Sequence, residues 1–355
     1  MKSTLNCTRQ HLIVFNLETD SESKVLASNS YWIREFRRYF KKITVVSTHL
    51  GVIKNYNNVE YIESGGGSLL RKLKAIYIHI SLLPYMLKER KQLVIHYHMS
   101  TKSLSIIGIF AKMLRIKQSL WYSHSKADIY LKIFRFVPDY FFSPTKTSFP
   151  LINAEKLVVT NHAIPVELIR LPKSNDTYRS GIVSVGRFVK IKHLEKIVLA
   201  VSYAEYTDKF LTIIGPNNID PDYEVYVRSL SISKKVDLKV LGPMNYLDLI
   251  KIYSEFDLCF SGTPLSIDKV AIEAAMSGCF VITENLEAQK LTGMEAVWDQ
   301  LNLLDRTSIV EQLQLMETIS NEQKMFLRMK VSAKAIELNN LESTVARIVD
   351  RLRYI

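Results

Sequence analysis

Cysteine is scarce in this chain, with Cys7, Cys259 and Cys279 the only three in 355 residues. Their spacing fits no metal-ligand pattern, which argues against a structural zinc site. Cys259 and Cys279 sit inside apolar runs and read as buried thiols of a reducing compartment. Long hydrophobic runs are missing too. No window reaches the roughly 18 uninterrupted apolar residues of a membrane-crossing helix, so no span is expected. The first twenty residues, MKSTLNCTRQHLIVFNLETD, carry an apolar run of only about five residues followed by acids. That reads as a first β-strand rather than the apolar region of a signal peptide. There is no internal repeat, no low-complexity tract and no nucleic-acid recognition motif.

What the chain has in abundance is apolar and aromatic matter: 47% hydrophobic residues, with 18 Tyr and 15 Phe. That composition excludes disorder, and the length exceeds one ordinary core, so two domains are expected. The net charge of +12 is unevenly spread. Residues 1–170 hold 25 Lys/Arg against 11 Asp/Glu, whereas the remainder is slightly acidic. A basic half joined to a near-neutral one points to an anionic partner such as a membrane surface or a phosphate-bearing ligand. The alternative is a generally basic proteome.

Short apolar runs alternate with helix-period stretches throughout. Strands are expected at 11–16, 43–48, 93–97, 119–123, 140–143 and 156–160, with helices at 28–40, 68–90 and 102–115. The polar stretch LPKSNDTYRS (171–180) reads as a linker. Beyond it strands are expected at 181–185, 210–215, 238–242, 258–262 and 279–283, with helices at 193–206, 224–232, 246–256 and 268–278. Alternation with nearly continuous apolar strands predicts parallel sheets covered on both faces. The fold class is therefore α/β, two doubly wound Rossmann-like domains facing a cleft. Boundaries are expected at 1–172 and 178–335, with a C-terminal helix in 336–355 returning to the first domain. The helix pattern 68–90 follows the glycine cluster 65–67 and carries Arg71, Lys72, Lys74, Lys88, Arg90 and Lys91 around apolar residues. It reads either as a helix lying on anionic lipid or as a core helix with a solvated basic face, kinked at Pro84.

Two stretches carry chemistry. In VGRFVKIKH (185–193) Gly186 ends a strand and admits close backbone approach, while Arg187 and Lys192 follow at the mouth of a strand–loop–helix turn. Arginine binds phosphate oxygens in a fork and lysine acts as a point charge. The bland reading is a solvated basic loop. In PLSIDKVAIEAAMSGCFVIT (264–283) Asp268 is placed as an N-cap and Gly278 closes the helix. A helix N-terminus beside a strand end suits a phosphate. Glu273, in an otherwise apolar stretch, is placed to accept ribose hydroxyls or else is a solvated helix carboxylate. His96 and His98 near a strand end read as structural.

On these residues the chain resembles the family 4 retaining glycosyltransferases of the GT-B fold. The GR followed by a Lys five residues on (Gly186, Arg187, Lys192), TIIGP (212–216), LKVLGPMNYLDLIKIYSEFDLCFSG (238–262) and IEAAMSGCFVIT (272–283) are similar to that family's second-domain blocks. SLWYSHSKADI (119–129) and the segment 143–169 are similar to its acceptor-domain blocks. The resemblance implies that Arg187 and Lys192 neutralise and stabilise a donor diphosphate. It implies that Glu273 binds the ribose, that the backbone N–H groups of Ile267, Asp268 and Lys269 cradle phosphate or sugar, and that Gly242 to Met244 face the base. It sets His124 near the transferred sugar, and it implies no metal and no cofactor beyond the nucleotide-sugar substrate. Two positions depart from the family. Leu265 stands where its first site glutamate is usual, with Asp268 as a nearby substitute. The first loop, 17–31, lacks glycine and offers Ser21 and Ser23 instead.

The expected activity is transfer of a sugar from a nucleotide donor, with retention, to a glycan or polyprenyl-diphosphate-linked acceptor in surface polysaccharide synthesis. The enzyme is expected in the cytoplasm, peripheral on the inner face of an anionic membrane, without nucleic acid as a partner. Open alternatives are a nucleotide-sugar epimerase of the same fold, which needs an acid/base carboxylate pair, and a non-catalytic membrane scaffold with a decayed donor site.

Overall fold

The computed structural model describes residues 10–353 except 24–25, 66–67, 152–154, 174–178, 205, 207–208 and 265–266. Cys7, Leu265 and most of the central part of the polar stretch 171–180 therefore lie outside the described residues. The chain divides into two compact units, Met1–Ala163 with Leu341–Ile355, and Ile164–Asn340. The boundary falls at Ala163, ahead of the polar stretch.

The first unit is a seven-stranded parallel sheet ordered β3-β2-β1-β4-β5-β6-β7. Its strands are β1 (His11–Thr19), β2 (Lys42–Leu50), β3 (Val59–Glu63), β4 (Leu93–His98), β5 (Lys117–Trp121), β6 (Tyr140–Ser143) and β7 (Leu157–Val159). β1 lies central because Leu12 to Phe15 are buried on both faces. α1 (Ser28–Phe36) covers one face. The other carries α2 (Leu69–Ser81), α3 (Leu83–Glu89), α4 (Thr101–Met113) and α5 (Ile129–Phe134). The single helix expected over 68–90 is two: the break falls at Leu82, and Pro84, which lacks an N–H, sits in the first turn of α3, where none is needed.

The second unit is a five-stranded parallel sheet ordered β10-β9-β8-β11-β12. Its strands are β8 (Ile182–Val185), β9 (Phe210–Ile214), β10 (Asp237–Leu241), β11 (Leu258–Phe260) and β12 (Phe280–Ile282). Its helices are α6 (Leu194–Tyr203), α7 (Pro221–Ser233), α8 (Tyr246–Ile252), α9 (Lys269–Met276), α10 (Leu286–Thr292), α11 (Met294–Gln300), α12 (Ile309–Thr318) and α13 (Asn321–Asn339). The strand order reverses between β8 and β11, so the carboxyl ends of those two strands flank the crevice where doubly wound sheets take ligands. Cys259 and Cys279 are free and buried in this core. Among the described residues no helix is long and apolar enough to cross a membrane.

The last helix, α14 (Leu341–Arg353), closes the first unit. It buries Leu341, Val345, Ile348, Val349 and Leu352 with Trp32, Ile33 and Phe36. Thr344 Oγ1 and Arg347 Nη2 donate to the Thr160 carbonyl at 3.3 and 2.8 Å. Full burial of each aliphatic side chain is worth about 1.5–3 kcal/mol, so this helix is a main support of that sheet face. Ile348→Ala should cost about 2–5 kcal/mol, read as a lower urea midpoint.

His96 is completely buried on β4, with Nδ1 2.9 Å from Ser119 Oγ. Burial, and secondarily the neighbouring His98, holds its pKa well below 6.5. Burial also lowers the pKa of His79. Both imidazoles therefore take a proton less readily in the folded chain than in the unfolded one, where they titrate at the ordinary histidine value. The unfolded state then binds more protons, so stability is full above about pH 6.5 and falls as pH drops below it. Thermal unfolding across pH 4–8, a range chosen to bracket the ordinary histidine value of about 6.5, should show that decline, and His96→Gln should flatten it.

Candidate active site of the second unit

β8 runs out at Val185, and Gly186 follows with φ 142°. A Cβ on Gly186 would lie 2.9 Å from Lys192 Cε, and one on Gly262, just past β11, would lie 2.2 Å from the Lys192 carbonyl oxygen. The two glycines at the switch point thus make room for one residue, Lys192. It ends a single 3-10 turn (Lys190–Lys192), which His193 terminates in the left-handed conformation before α6 begins.

The Lys192 ammonium lies 2.6 Å from Asp268 Oδ2 and 3.4 Å from Thr263 Oγ1. Thr263 in turn donates to the same Asp268 oxygen at 2.6 Å. Asp268 occupies the N-cap position of α9, as its sequence context predicts, but makes no side-chain capping bond. Its carboxylate is drawn to Lys192 instead, which leaves the first N–H groups of α9 without a side-chain cap. Arg187 is exposed, and no side chain among the described residues pairs with its guanidinium.

A second cluster sits one turn along α9. Glu273 is 1% exposed. Its Oε1 accepts from the Tyr246 hydroxyl at 2.7 Å and lies 3.0 Å from Lys269 Nζ. Lys269 also donates to Tyr246 Oη at 3.0 Å and stands over the tyrosine ring. Glu273 is therefore no solvated helix carboxylate. Beneath it, burial and, to a smaller extent, the Cys279 thiol and the Asp268 and Glu273 carboxylates push the Cys259 thiol pKa well up.

The structure thus joins Gly186, Lys192 and Asp268 in one cluster and Lys269 with Glu273 in another. Ile267 is buried. Gly242 stands exposed, and a Cβ there would meet nothing within 4 Å, so no crowding requires glycine. His124 belongs to the first unit, past the end of β5. It is exposed, and its Nδ1 accepts from the Lys126 N–H at 3.0 Å. In the first loop Ser21 Oγ donates to the Val52 carbonyl and Ser23 Oγ accepts from the Leu26 N–H. His96 and His98 are buried against the rings of Trp32 and Trp121.

Three participants escaped sequence reasoning. Tyr246 lies 27 positions from Glu273, and no local spacing reveals the pair. Thr263 lies six positions ahead of α9. Asn285 caps α10 through Ala288 N–H at 3.1 Å while its amide reaches the carbonyls of Thr263 and Pro264 at 3.4 and 3.3 Å. An Asn ahead of a helical pattern was a visible capping signal; its grip on the loop was not.

No protein-family model and no curated protein matches the chain by sequence. Solved structures do match its fold. A glycosyltransferase from Rickettsia africae aligns with TM-score 0.70 at 12% identity, covering 97% of this chain and 98% of that one. HepE of Anabaena, solved with UDP and glucose, aligns with TM-score 0.67 at 14% identity over 96% and 99%. A UDP-forming α,α-trehalose-phosphate synthase from Burkholderia vietnamiensis aligns with TM-score 0.63 at 10% identity over 98% and 100%. The chain therefore has the fold of GT-B glycosyltransferases: two α/β units, each built on a parallel sheet.

The Glu273 cluster should be sensitive to loss of either partner. Tyr246→Phe removes one donor and should cost about 1–3 kcal/mol. Lys269→Met leaves the buried carboxylate without its cation and should cost about 3–5 kcal/mol. Urea unfolding of the two variants checks both values.

Proposed function

We propose that this protein is a glycosyltransferase of the family 4 type. It moves a sugar from a nucleotide-diphosphate donor, with retention, to a glycan or polyprenyl-diphosphate-linked acceptor for surface polysaccharide, at the inner face of the membrane. The observation that carries this reading is Lys192 at the carboxyl ends of β8 and β11, where Gly186 makes room for its side chain and Gly262 for its backbone carbonyl. Arg187, whose guanidinium has no side-chain partner among the described residues, and the start of α9, which has no side-chain cap, stand on the adjoining segments. The fold-level neighbours add support, since HepE was solved with UDP and with UDP-glucose.

In this reading the donor diphosphate displaces the Asp268 carboxylate from Lys192. The more highly charged group wins the ammonium, with Arg187 and the α9 N–H groups as further donors. Lys192 and Arg187 then stabilise the charge that grows on the diphosphate as the sugar C1–O bond breaks. The acceptor oxygen forms its bond to C1 on the same face, and its proton passes to the departing phosphate oxygen. Free nucleoside diphosphate leaves. Ribose recognition falls to Glu273, a carboxylate already oriented by Tyr246 and Lys269. Gly242 to Met244 face the base.

The internal Lys192–Asp268 pair also favours a second reading, a scaffold whose donor site has closed on itself. A thermal-shift panel of UDP, GDP, ADP and CDP separates the two. The transferase reading expects one nucleotide to stabilise the wild type, by about 2.7 kcal/mol at a hundredfold excess over Kd. Lys192→Ala should abolish the shift. Asp268→Asn, which removes the competing carboxylate, should tighten binding about tenfold, the equivalent of one charge-assisted hydrogen bond. If no nucleotide shifts the wild type at millimolar concentration, the transferase reading fails and the scaffold takes its place.

A further inference from the structure

Apolar side chains are not scattered evenly over this protein. Among the described residues, 13 of the 27 large apolar side chains that stand exposed fall within 69–136, a fifth of the chain. On α2 they are Leu69, Leu70, Leu73, Ile76, Tyr77 and Ile80, recurring at helical spacing, with Leu70 79% and Tyr77 71% exposed. The helix is held from its other side. Ile78 packs on the sheet core, His79 stacks on Phe15, and His79 Nε2 lies 2.9 Å from Ser103 Oγ. A surface helix ordinarily turns its apolar stripe inward; α2 also keeps one facing out.

The neighbouring helices repeat the pattern. α2 packs against α4 and α4 against α5, all over the same sheet face. α4 turns out Ile106, Ile109 and Met113, and α5 turns out Ile129 and Ile133, followed by Phe136. The charge around them has one sign. At 100° per residue Lys72 and Lys74 flank the α2 stripe on opposite sides, and Lys102, Lys112, Lys132 and Arg135 lie exposed on or beside α4 and α5. Residues 68–136 contain 13 Lys/Arg and only two acids, Glu89 and Asp128. Both acids are engaged: Glu89 Oε2 lies 3.7 Å from His11 Nδ1, and Asp128 caps α5 at Leu131 while accepting from Thr101.

We propose that the outward face of α2, α4 and α5 is a docking surface for an anionic lipid bilayer. The bulky aliphatic stripe enters the acyl boundary and the flanking lysines and arginines meet the headgroup charge. The charge complement alone would also suit a nucleic acid, but a polyphosphate backbone has no use for outward aliphatic rows, and a bilayer does. The surface belongs wholly to the first unit and stands independently of the donor chemistry proposed for the second. It rests on the membrane location of the proposed function and is the surface that would make that contact.

Sedimentation of the full-length protein with phosphatidylcholine vesicles, with and without phosphatidylglycerol, tests the surface at low and high salt. Binding should require the anionic lipid and weaken with salt. Lys72→Glu/Lys74→Glu and, separately, Leu70→Glu/Tyr77→Glu should each reduce it about tenfold or more. All four side chains are exposed, so both variants should keep the wild-type melting temperature; if the second melts early, Leu70→Ser/Tyr77→Ser replaces it. Nucleoside-diphosphate binding, measured on the same variants, should not change, which keeps this outcome separate from that of the donor site. Two results would overturn the proposal. One is no vesicle binding at low salt. The other is binding to duplex DNA as tight as to vesicles, with the apolar variant indifferent in both.

Discussion

A parallel strand cannot turn straight back to its neighbour. Each connection must cross the sheet, almost always by a helix on one face and with one hand. That constraint shapes both units. It makes all the strands of a sheet end on the same edge, and where the strand order reverses it holds two loops apart. In the second unit those loops follow β8 and β11, and they bring together Gly186, Lys192, Gly262, Thr263 and Asp268. Residues 76 positions apart in the chain meet because the topology leaves them little choice.

Much of this frame is legible in the sequence, because a strand buried on both faces writes itself as a continuous apolar run. Leu12 to Phe15 and Phe280 to Ile282 are such runs, and both strands lie where the pattern puts them. β3 is not legible in that way. It lies at the sheet edge, is at most half-buried, and spells VEYIE. The four helices α10 to α13 were not legible either. In α13 the inward side includes Lys324 and Arg328, which no hydrophobic pattern predicts. They are buried because both pair with Asp257, itself buried just before β11.

Within the candidate site the same division holds. The residue types and their spacing around Gly186, Arg187 and Lys192 could be read along the chain, and so could an N-capping Asp268. Which charges satisfy one another could not. Asp268 leaves the cap for Lys192, and Glu273 is claimed by a tyrosine from another helix. Pairing of this kind depends on distances across the fold, and a one-dimensional pattern carries only the candidates. The charges at this end of the sheet are accordingly matched across the fold, Lys192 with Asp268 and Lys269 with Glu273.

The terminal helix has a consequence for how the chain is made. The second unit is inserted between the two segments of the first, and the face of the first sheet that carries α1 is completed only by α14. During synthesis, Trp32, Ile33 and Phe36 leave the ribosome long before Val345 and Ile348 do. At about 5–20 residues per second, the second unit alone, residues 164–340, takes about 10 to 35 seconds to emerge. For that interval the nascent first unit holds an uncovered apolar face on a seven-stranded sheet. That face is covered only once Leu341 to Leu352 have emerged as well.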